Sequence, residues 1–284
     1  MARAKAKLVF DNSEVDEAAG IFKNEEGRRC VSIREFDMNN MHPWGVDDLQ
    51  YGSKVVVIGK PGFGKSRIVQ SIMLHKGHIC PVAQVYSGTE TVNHFYEKEC
   101  GVTPITIFHE LDTKAMEDFA KRQDIARKHL PVPWTIQVLD DVTDNDCFGK
   151  PPLSAYFKRG RHWAMIHIEC IQYPMDVKPA MRSCVDYVFL LANGILSERQ
   201  KLYENFGSGC IPTFQDFCDI MDGVTEDYTA LVIDNTVQSN KMAERVFYYK
   251  ADISRVPINW KYGCKDAWDF NDERLNPNFQ PSII

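Results

Sequence analysis

Short apolar runs recur along the chain, and most are followed by segments whose apolar residues return at helical spacing. The run KVVVIG at 54–59 is continuous, which is typical of a strand buried on both faces of a parallel sheet. Strands that alternate with helices predict an α/β fold, in which a mainly parallel sheet lies between helices. The predicted strands are 30–36, 54–59, 82–87, 104–109, 135–141, 163–172, 185–191, 229–234 and 245–251, and the predicted helices are 65–75, 112–129, 195–206 and 213–222.

The two ends of the chain depart from this pattern. Residues 1–28 are polar and mixed in charge, and we expect a poorly ordered lead-in there. Residues 264–284 are polar with two prolines, and we expect a loose tail. A single domain is therefore predicted for residues 29–263.

The motif GKPGFGKS fits the pattern G-x-x-x-x-G-K-[ST] and lies between a predicted strand and a predicted helix. Its glycines let backbone N–H groups wrap around phosphates, and the following helix directs its positive N-terminal end at them. Lys65 can reach the β- and γ-phosphates, and Ser66 can ligate Mg²⁺. The predicted triphosphate site consists of Gly59, Lys60, Pro61, Gly62, Phe63, Gly64, Lys65, Ser66 and Arg67.

Two adjacent aspartates, Asp140 and Asp141, end the predicted strand 135–141. An acid at the end of a second buried strand is the other half of such a site. Asp140 is placed to hold the Mg²⁺ shell, and Asp141 is placed to polarise an attacking water. Many ATPases have the longer glutamate at the second position. The alternative is a pair of solvated acids, because Asp144 and Asp146 make the same turn acidic.

The separation in sequence between the phosphate loop and the acid pair is informative. About 75 residues lie between Lys65 and Asp140, and they contain two strand patterns. An extra strand between the phosphate-loop strand and the acid strand is typical of ring-forming and motor ATPases, by analogy of fold. Gln172 ends the next predicted strand, where its amide would face the γ-phosphate and report hydrolysis. The alternative for Gln172 is a local turn hydrogen bond.

Residues 147–168 contain no Asp or Glu, and the part 150–162 holds five basic or histidine side chains. An arginine presented to a neighbouring subunit's site can stabilise the transferring phosphoryl charge. The same cluster can contact DNA phosphates, or it is simply a solvated basic loop. Arg182 and Arg199 are competing candidates for such an arginine finger. The cluster consists of Lys150, Lys158, Arg159, Arg161 and His162.

The composition narrows the classes of protein to which the chain can belong. The net charge of −6 argues against a uniformly basic nucleic-acid binder, although a local basic surface is compatible with it. No apolar stretch approaches the roughly 20 residues of a membrane span, and no signal peptide is evident. The nine cysteines are scattered without a CxxC pair, which favours a reducing compartment over a secreted, disulfide-bonded protein.

Longer phrases of the chain resemble the genome-packaging ATPases of nucleocytoplasmic large DNA viruses, the poxvirus-type branch of the FtsK–HerA superfamily of P-loop ATPases. The resemblance runs from about Lys54 to Ala251. The phrases that carry it are GKPGFGKS, SGTETVNHFY, LDD, GRHW, QYPMDVKPAMRS, KLYENF, FCDIMDGVTEDYTALVIDN and FYYKA.

The resemblance implies a P-loop ATPase fold of the additional-strand, RecA/FtsK-like type and a motor that uses ATP and Mg²⁺ to push viral double-stranded DNA into a preformed capsid. It also implies a ring-like homo-oligomer with nucleotide at subunit interfaces, a portal or vertex protein of the capsid as partner, and a location in the virion or the cytoplasmic virus factory. By position, Asp140 and Asp141 are the acid pair and Gln172 is the sensor. Arg161 falls where the superfamily places its arginine, and Arg182 also lies in a family phrase.

The chain departs from the family pattern at two places. Cys184 stands where an asparagine is expected, and residues 190–200 lack the expected charged phrase. Both concern the interface role of the 182–200 region and leave the ATP site untouched. Two other functions compete with the motor: a phosphotransferase that acts on a small molecule, and a non-catalytic DNA or scaffold protein that uses ATP as a switch.

Overall fold

The structure is a computed structural model, and it describes residues 7–9, 20–23, 29–41, 53–142, 147 and 151–275. The strands are β1 (Lys7–Val9), β2 (Gly20–Lys23), β3 (Arg29–Ser32), β4 (Arg34–Glu35), β5 (Lys54–Ile58), β6 (Ala83–Ser87), β7 (Ile107–Phe108), β8 (Thr135–Asp140), β9 (Met165–Ile171), β10 (Tyr187–Leu190), β11 (Thr229–Asp234) and β12 (Val246–Lys250). The α-helices are α1 (Lys65–Lys76), α2 (Glu90–Asn93), α3 (Thr113–His129), α4 (Leu153–Arg159), α5 (Pro179–Arg182), α6 (Leu196–Leu202), α7 (Phe214–Val224), α8 (Met242–Arg245) and α9 (Lys265–Leu275).

Shorter helical turns link several of these elements. Turns of 3₁₀ type span Met38–Asn40, Pro104–Thr106, Gly160–Trp163 and Ile253–Arg255, and π-helical turns span Phe95–Glu99 and Tyr203–Gly207.

Nine of the described strands form one sheet in the order β4-β12-β11-β10-β5-β9-β8-β6-β7. The six strands from β10 to β7 in this order are parallel, and β11 runs antiparallel to both of its neighbours. The mainly parallel sheet of an α/β P-loop NTPase is thereby confirmed. Because parallel strands end at the same edge, the residues that follow β5, β8 and β9 meet there.

The extra strand is found in the sheet, and it is β9. It lies between β5, which precedes the phosphate loop, and β8, which ends in Asp140. The two strands that lie between β5 and β8 in sequence, β6 and β7, are placed beyond β8. The additional-strand arrangement is therefore confirmed, with the inserted strand supplied from later in the chain.

Helices cover both faces of the sheet, as predicted. On one face Val55 and Val57 of β5 pack in a buried cluster with Ile68 and Ile72 of α1. On the other face the intervening residues of β5 belong to a cluster with helices α3, α4 and α7. Alternate side chains of one apolar strand thus enter opposite cores, which explains the continuous rather than alternating apolar run.

The expectation of a poorly ordered lead-in is wrong for two short segments. β1 pairs with β3 in parallel and β2 pairs with β3 antiparallel, so backbone hydrogen bonding holds them in a three-stranded sheet. The rest of 1–28 lies outside the described residues. The predicted strand 30–36 is divided, because β3 joins this small sheet while β4 pairs with β12 at the edge of the large one.

The expectation of a loose tail is wrong for Lys265–Leu275, which forms α9. Asn271 is buried on this helix and accepts a hydrogen bond from the Ile105 backbone N–H at 3.1 Å. The predicted strand at 104–109 is shorter than expected, because Pro104 begins a 3₁₀ turn and only Ile107–Phe108 pairs with the sheet. Residues 276–284 lie outside the described part of the chain.

Candidate nucleotide-binding site

The phosphate loop connects β5 to α1 in a shape that its glycines permit. Gly62 and Gly64 have φ angles of +80° and +102°, in the left-handed region that residues with a Cβ rarely adopt. The Gly64 carbonyl accepts the N–H groups of Arg67 and Ile68 at 3.1 Å, so helix α1 starts directly after the loop. The free N–H groups of the first helical turn therefore face the loop, as an anion site requires.

Lys65 is buried beneath the loop, with 5% of its side chain exposed. Its Nζ donates to the Gly59 carbonyl oxygen at 3.1 Å and lies 3.8 Å from Oδ1 of Asp141. The ammonium is held inside the loop and already faces the acid pair. The contact of Lys65 with the β- and γ-phosphates stays a prediction.

Ser66 and Asp140 lie together at the end of β8. Ser66 Oγ donates to Asp140 Oδ2 at 2.9 Å, and the hydroxyl of Tyr96 donates to the same oxygen at 2.7 Å. Burial raises the pKa of the Asp140 carboxyl, and the Tyr96 and Ser66 hydrogen bonds oppose that rise. Asp140 is 5% exposed, which accounts for the burial effect.

The donor set at Ser66 and Asp140 fits Mg²⁺. Mg²⁺ prefers hard oxygen ligands and is usually held by one or two carboxylates together with substrate phosphates and waters. Within the described residues, no cluster of three or more His, Cys, Asp or Glu side chains could hold a metal. One carboxylate and one hydroxyl beside a phosphate loop is the arrangement that suits a metal arriving with its nucleotide.

Asp141 and Gln172 are brought together by the neighbouring strands β8 and β9. Gln172 Nε2 donates to Asp141 Oδ1 at 3.1 Å. Asp141 has a φ angle of +53°, a left-handed conformation that aspartate tolerates better than most residues. This backbone conformation turns the chain sharply after β8 and aims the carboxylate toward Lys65 and Gln172.

A cavity of about 620 Å³ opens above the phosphate loop. It is large enough to hold a nucleotide, since ligand pockets usually measure roughly 300–1,000 Å³. Beyond the loop and Asp141, its walls come from the segment after β6, from the residue before β11, and from the end of β12 with the turn that follows it. Those walls are Thr89, Asn93, Phe95, Tyr228, Lys250, Ala251 and Ile253.

Arg161 lies away from this cavity. It belongs to the 3₁₀ turn that precedes β9, whereas the phosphate loop lies at the opposite edge of the sheet. A strand of this length spans roughly 20 Å. The Arg161 guanidinium contacts the buried carboxylate of Asp186, which also accepts the Lys54 backbone N–H at 2.8 Å. Arg161 is therefore anchored at the far edge, with 46% of its side chain exposed.

Like Arg161, the other two candidate arginines have partners within the subunit. Arg182 Nη1 donates to the Met175 sulfur at 3.5 Å. Arg199 is 13% exposed, and its Nη2 donates to Asp222 Oδ1 at 2.6 Å. Of the three, Arg161 has the most exposed side chain, and Arg182 and Arg199 are both partly buried.

Sequence reasoning assigned no role to several residues of the site. Tyr96 lies in the family phrase SGTETVNHFY, which was the one signal that could have drawn attention to it. Gly88 lies in the same phrase, and a Cβ at its position would come within 2.9 Å of the Asp141 carbonyl oxygen. Tyr228 lies in the family phrase FCDIMDGVTEDYTALVIDN, and the fold brings it to the loop.

The fold and this arrangement of loop, acid strand and intervening strand define a P-loop NTPase. The chain belongs to a protein family of large DNA viruses that includes uncharacterized protein 088R of Invertebrate iridescent virus 3, to which it is 41% identical over 87% of this chain and 94% of that protein. Uncharacterized protein 075L of Invertebrate iridescent virus 6 is 38% identical over 87% of this chain and 96% of its own length. Uncharacterized protein 015R of Frog virus 3 is 35% identical over 82% of this chain and 75% of its own length. No protein-family model matches the chain.

Solved structures share the fold at low identity. The genome packaging NTPase B204 of Sulfolobus turreted icosahedral virus 2, in complex with AMPPCP, matches 70% of this chain and 98% of its own with a TM-score of 0.51 and 14% identity. The conjugation coupling protein TcpA of pCW3, with ATPγS, matches 92% of this chain and 81% of its own with a TM-score of 0.51 and 12% identity. At these identities the likeness concerns the fold alone.

Two further expectations concern membranes and redox state. Within the described residues, no helix combines the length and apolar character needed to cross a membrane. Among the cysteines whose side chains are described, none forms a disulfide, and five are buried. The compartment in which the protein acts stays a prediction.

Proposed function

We propose that this protein is an ATP-driven motor that moves viral double-stranded DNA into a preformed capsid. Its family belongs to large DNA viruses. Its fold is shared with B204, a genome packaging NTPase that was solved with AMPPCP. We further assign it to the poxvirus-type branch of the FtsK–HerA superfamily, on the motif phrases described above.

The observation that carries hydrolysis, rather than binding alone, is the contact between Gln172 and Asp141. A static nucleotide site needs the loop and a metal ligand. It does not need a second carboxylate, 3.8 Å from the loop lysine, that also accepts an amide hydrogen bond from the next strand. Such a carboxylate has a use when a water must be activated beside the γ-phosphate.

Each residue of the site then has a distinct task. The loop N–H groups and Lys65 bind the β- and γ-phosphates, and Ser66 with Asp140 would hold Mg²⁺, which neutralises phosphate charge when bound. Asp141 accepts the proton of the attacking water. Gln172 keeps the Asp141 carboxylate in place and senses the γ-phosphate.

The location of Arg161 supports a ring. This arginine is too far from its own subunit's phosphate loop to act there, because a strand length of roughly 20 Å separates the two edges of the sheet. Its half-exposed side chain, which contacts Asp186 at the far edge, is suited to enter the site of a neighbouring copy, where it would stabilise charge on the transferring phosphoryl group. Arg182 is the alternative finger in this proposal.

A motor of this kind also requires partners and a place of action. DNA would be held through phosphate contacts, which carry no sequence information. A capsid portal or vertex protein would anchor the ring, and the protein would act in the virion or in the cytoplasmic virus factory.

The proposal is tested with the purified full chain. ATP hydrolysis is measured with and without double-stranded DNA of several unrelated sequences, across a salt series, while particle size is followed with an ATP analogue. We expect stimulation that is independent of DNA sequence, falls steeply with salt and accompanies assembly. If the protein hydrolyses ATP but neither binds DNA nor is stimulated by it, the motor is excluded. Phosphate transferred to a nucleoside instead of water would establish a phosphotransferase.

A further inference from the structure

Tyr96 is a fully buried tyrosine whose hydroxyl points at the acid strand. Its side chain is 1% exposed, and the hydroxyl donates to Asp140 Oδ2 at 2.7 Å across 44 positions of sequence. Ser66 donates to the same oxygen at 2.9 Å. Two hydroxyl donors on one carboxylate oxygen restrict both the position and the rotation of the Asp140 side chain.

The backbone around Tyr96 is held in turn by Glu90. Glu90 is 2% exposed, and its Oε2 accepts the Tyr96 N–H at 3.0 Å while its Oε1 accepts the Glu97 N–H at 2.8 Å. Asn93 Oδ1 accepts the Phe95 N–H at 3.1 Å. Three successive N–H groups at the start of the π-helical turn Phe95–Glu99 therefore have side-chain partners, which fixes the turn that carries Tyr96.

The same turn is attached to the helix that follows the phosphate loop. The Arg67 guanidinium lies 5.0 Å from the centre of the Phe95 ring and forms an ion pair with Glu99. Gln70 Nε2 donates to the Glu99 carbonyl oxygen at 2.7 Å. The turn therefore connects α1, which carries Ser66, with β8, which carries Asp140. These are the two elements whose spacing sets the geometry of a metal site between them.

We propose that Tyr96 is a positioning residue for the metal–nucleotide complex, and that Glu90 maintains it in that role. Tyr96 acts through Asp140 and touches neither nucleotide nor metal. This inference rests on the proposed ATP site. It adds that the segment Glu90–Glu99 sets the strength of Mg²⁺-dependent nucleotide binding, since partners of metal ligands commonly change metal affinity about 10- to 100-fold when removed.

The test measures equilibrium binding of a non-hydrolysable ATP analogue over a series of Mg²⁺ concentrations and in EDTA, by calorimetry on the full chain. Tyr96→Phe removes only the hydroxyl and retains the ring. Tyr156→Phe is the matched control, because Tyr156 is also fully buried and its hydroxyl donates to the Met116 carbonyl oxygen, outside the site. Glu90→Gln is a second variant, which weakens the hold on the turn without altering Tyr96.

We expect Tyr96→Phe to require about tenfold more Mg²⁺ for half-maximal analogue binding, with binding in EDTA unchanged. Glu90→Gln should raise the Mg²⁺ concentration for half-maximal binding by a smaller factor. Tyr156→Phe should match the wild type in Mg²⁺ dependence. A folded Tyr96→Phe or Glu90→Gln protein with wild-type Mg²⁺ dependence would overturn the inference and leave the proposed function intact. A wild-type protein whose analogue binding is indifferent to Mg²⁺ would overturn both.

Discussion

Gln172 and Asp141 face each other across the edge of the sheet, joined by a 3.1 Å hydrogen bond from Nε2 to Oδ1. The bond links the end of β9 to the turn after β8. It places an uncharged donor and a carboxylate where two neighbouring strands deliver them, beside the buried ammonium of Lys65. These contacts with Lys65 and with each other suit a pair of side chains that would activate water and respond to loss of the γ-phosphate.

Asp141→Ala is therefore expected to lower turnover roughly 100-fold or more, because positioned acid–base catalysis contributes about that much. Gln172→Ala should also reduce turnover while leaving ATP-analogue binding near the wild-type value. The double variant should be little worse than Asp141→Ala alone, since the two side chains act as one unit. Steady-state kinetics with analogue titrations check this. Independent, multiplicative losses would mean that Gln172 does not work through Asp141.

Arg161→Ala is expected to spare ATP binding and to remove turnover, because its guanidinium lies at the edge opposite its own phosphate loop. Mixing it with Asp141→Ala protein should restore part of the activity, since some interfaces then pair an intact finger with an intact acid. Activity of the mixture against each variant alone is the measurement. Arg159→Ala, an exposed arginine in the same basic segment, serves as control and should keep its turnover. A mixture without recovery would argue against a role in trans.

Gly88→Ala is expected to impair turnover more than nucleotide binding. A Cβ at Gly88 would come within 2.9 Å of the Asp141 carbonyl oxygen, so the turn that aims the carboxylate must shift. Gly194→Ala is a suitable control, because a Cβ there meets nothing within 4 Å. Comparison of kcat with analogue affinity for both variants tests the point. An unchanged kcat in Gly88→Ala would show that the turn accommodates the methyl group.

The parts of the site that could be predicted from sequence are those specified locally. The phosphate loop is contiguous, and its glycines, lysine and serine each answer a requirement of the loop itself, so the motif alone is enough to propose Gly64 and Lys65 as members of the site. Tyr96 and Asp186 could not be found in this way. Their partners, Asp140 and Arg161, are 44 and 25 positions away and become neighbours only when the strands order themselves.

Helix α9 cannot be predicted from its sequence for a related physical reason. Its sequence is polar and carries no strong apolar periodicity, so local pattern favoured a loose tail. Its observed attachment includes buried Asn271, which accepts the Ile105 N–H, and Trp268, whose indole N–H donates to the Tyr262 carbonyl at 3.0 Å. Tertiary hydrogen bonding of this kind leaves no periodic signal.

Asn271→Ala is accordingly expected to lower the free energy of unfolding by about 1 kcal/mol, because the partly buried Ile105 N–H loses its acceptor. Glu273→Ala, on the exposed side of α9, should change stability little. Urea unfolding of both variants gives the difference. ATP-analogue affinity should be unchanged in each, since α9 does not line the cavity. Equal stability of the two variants would show that the tail is not fastened through Asn271.

Asp140→Asn is expected to raise the melting temperature of the nucleotide-free protein at neutral pH while weakening Mg²⁺-dependent nucleotide binding. Burial raises the pKa of the Asp140 carboxyl, so folding disfavours its anionic form. A raised folded-state pKa means that stability is lost as the pH rises through that value, and the amide avoids this loss. The advantage of the variant should therefore shrink as the pH falls toward the ordinary aspartate range, where wild-type Asp140 takes up a proton.

Asp118→Asn is the control, because Asp118 is exposed and its pKa is lowered by Lys121, so no gain is expected. Melting curves at several pH values decide the matter: a lower melting temperature for Asp140→Asn at neutral pH would show that nearby positive charge, such as Lys65, already compensates the buried carboxylate.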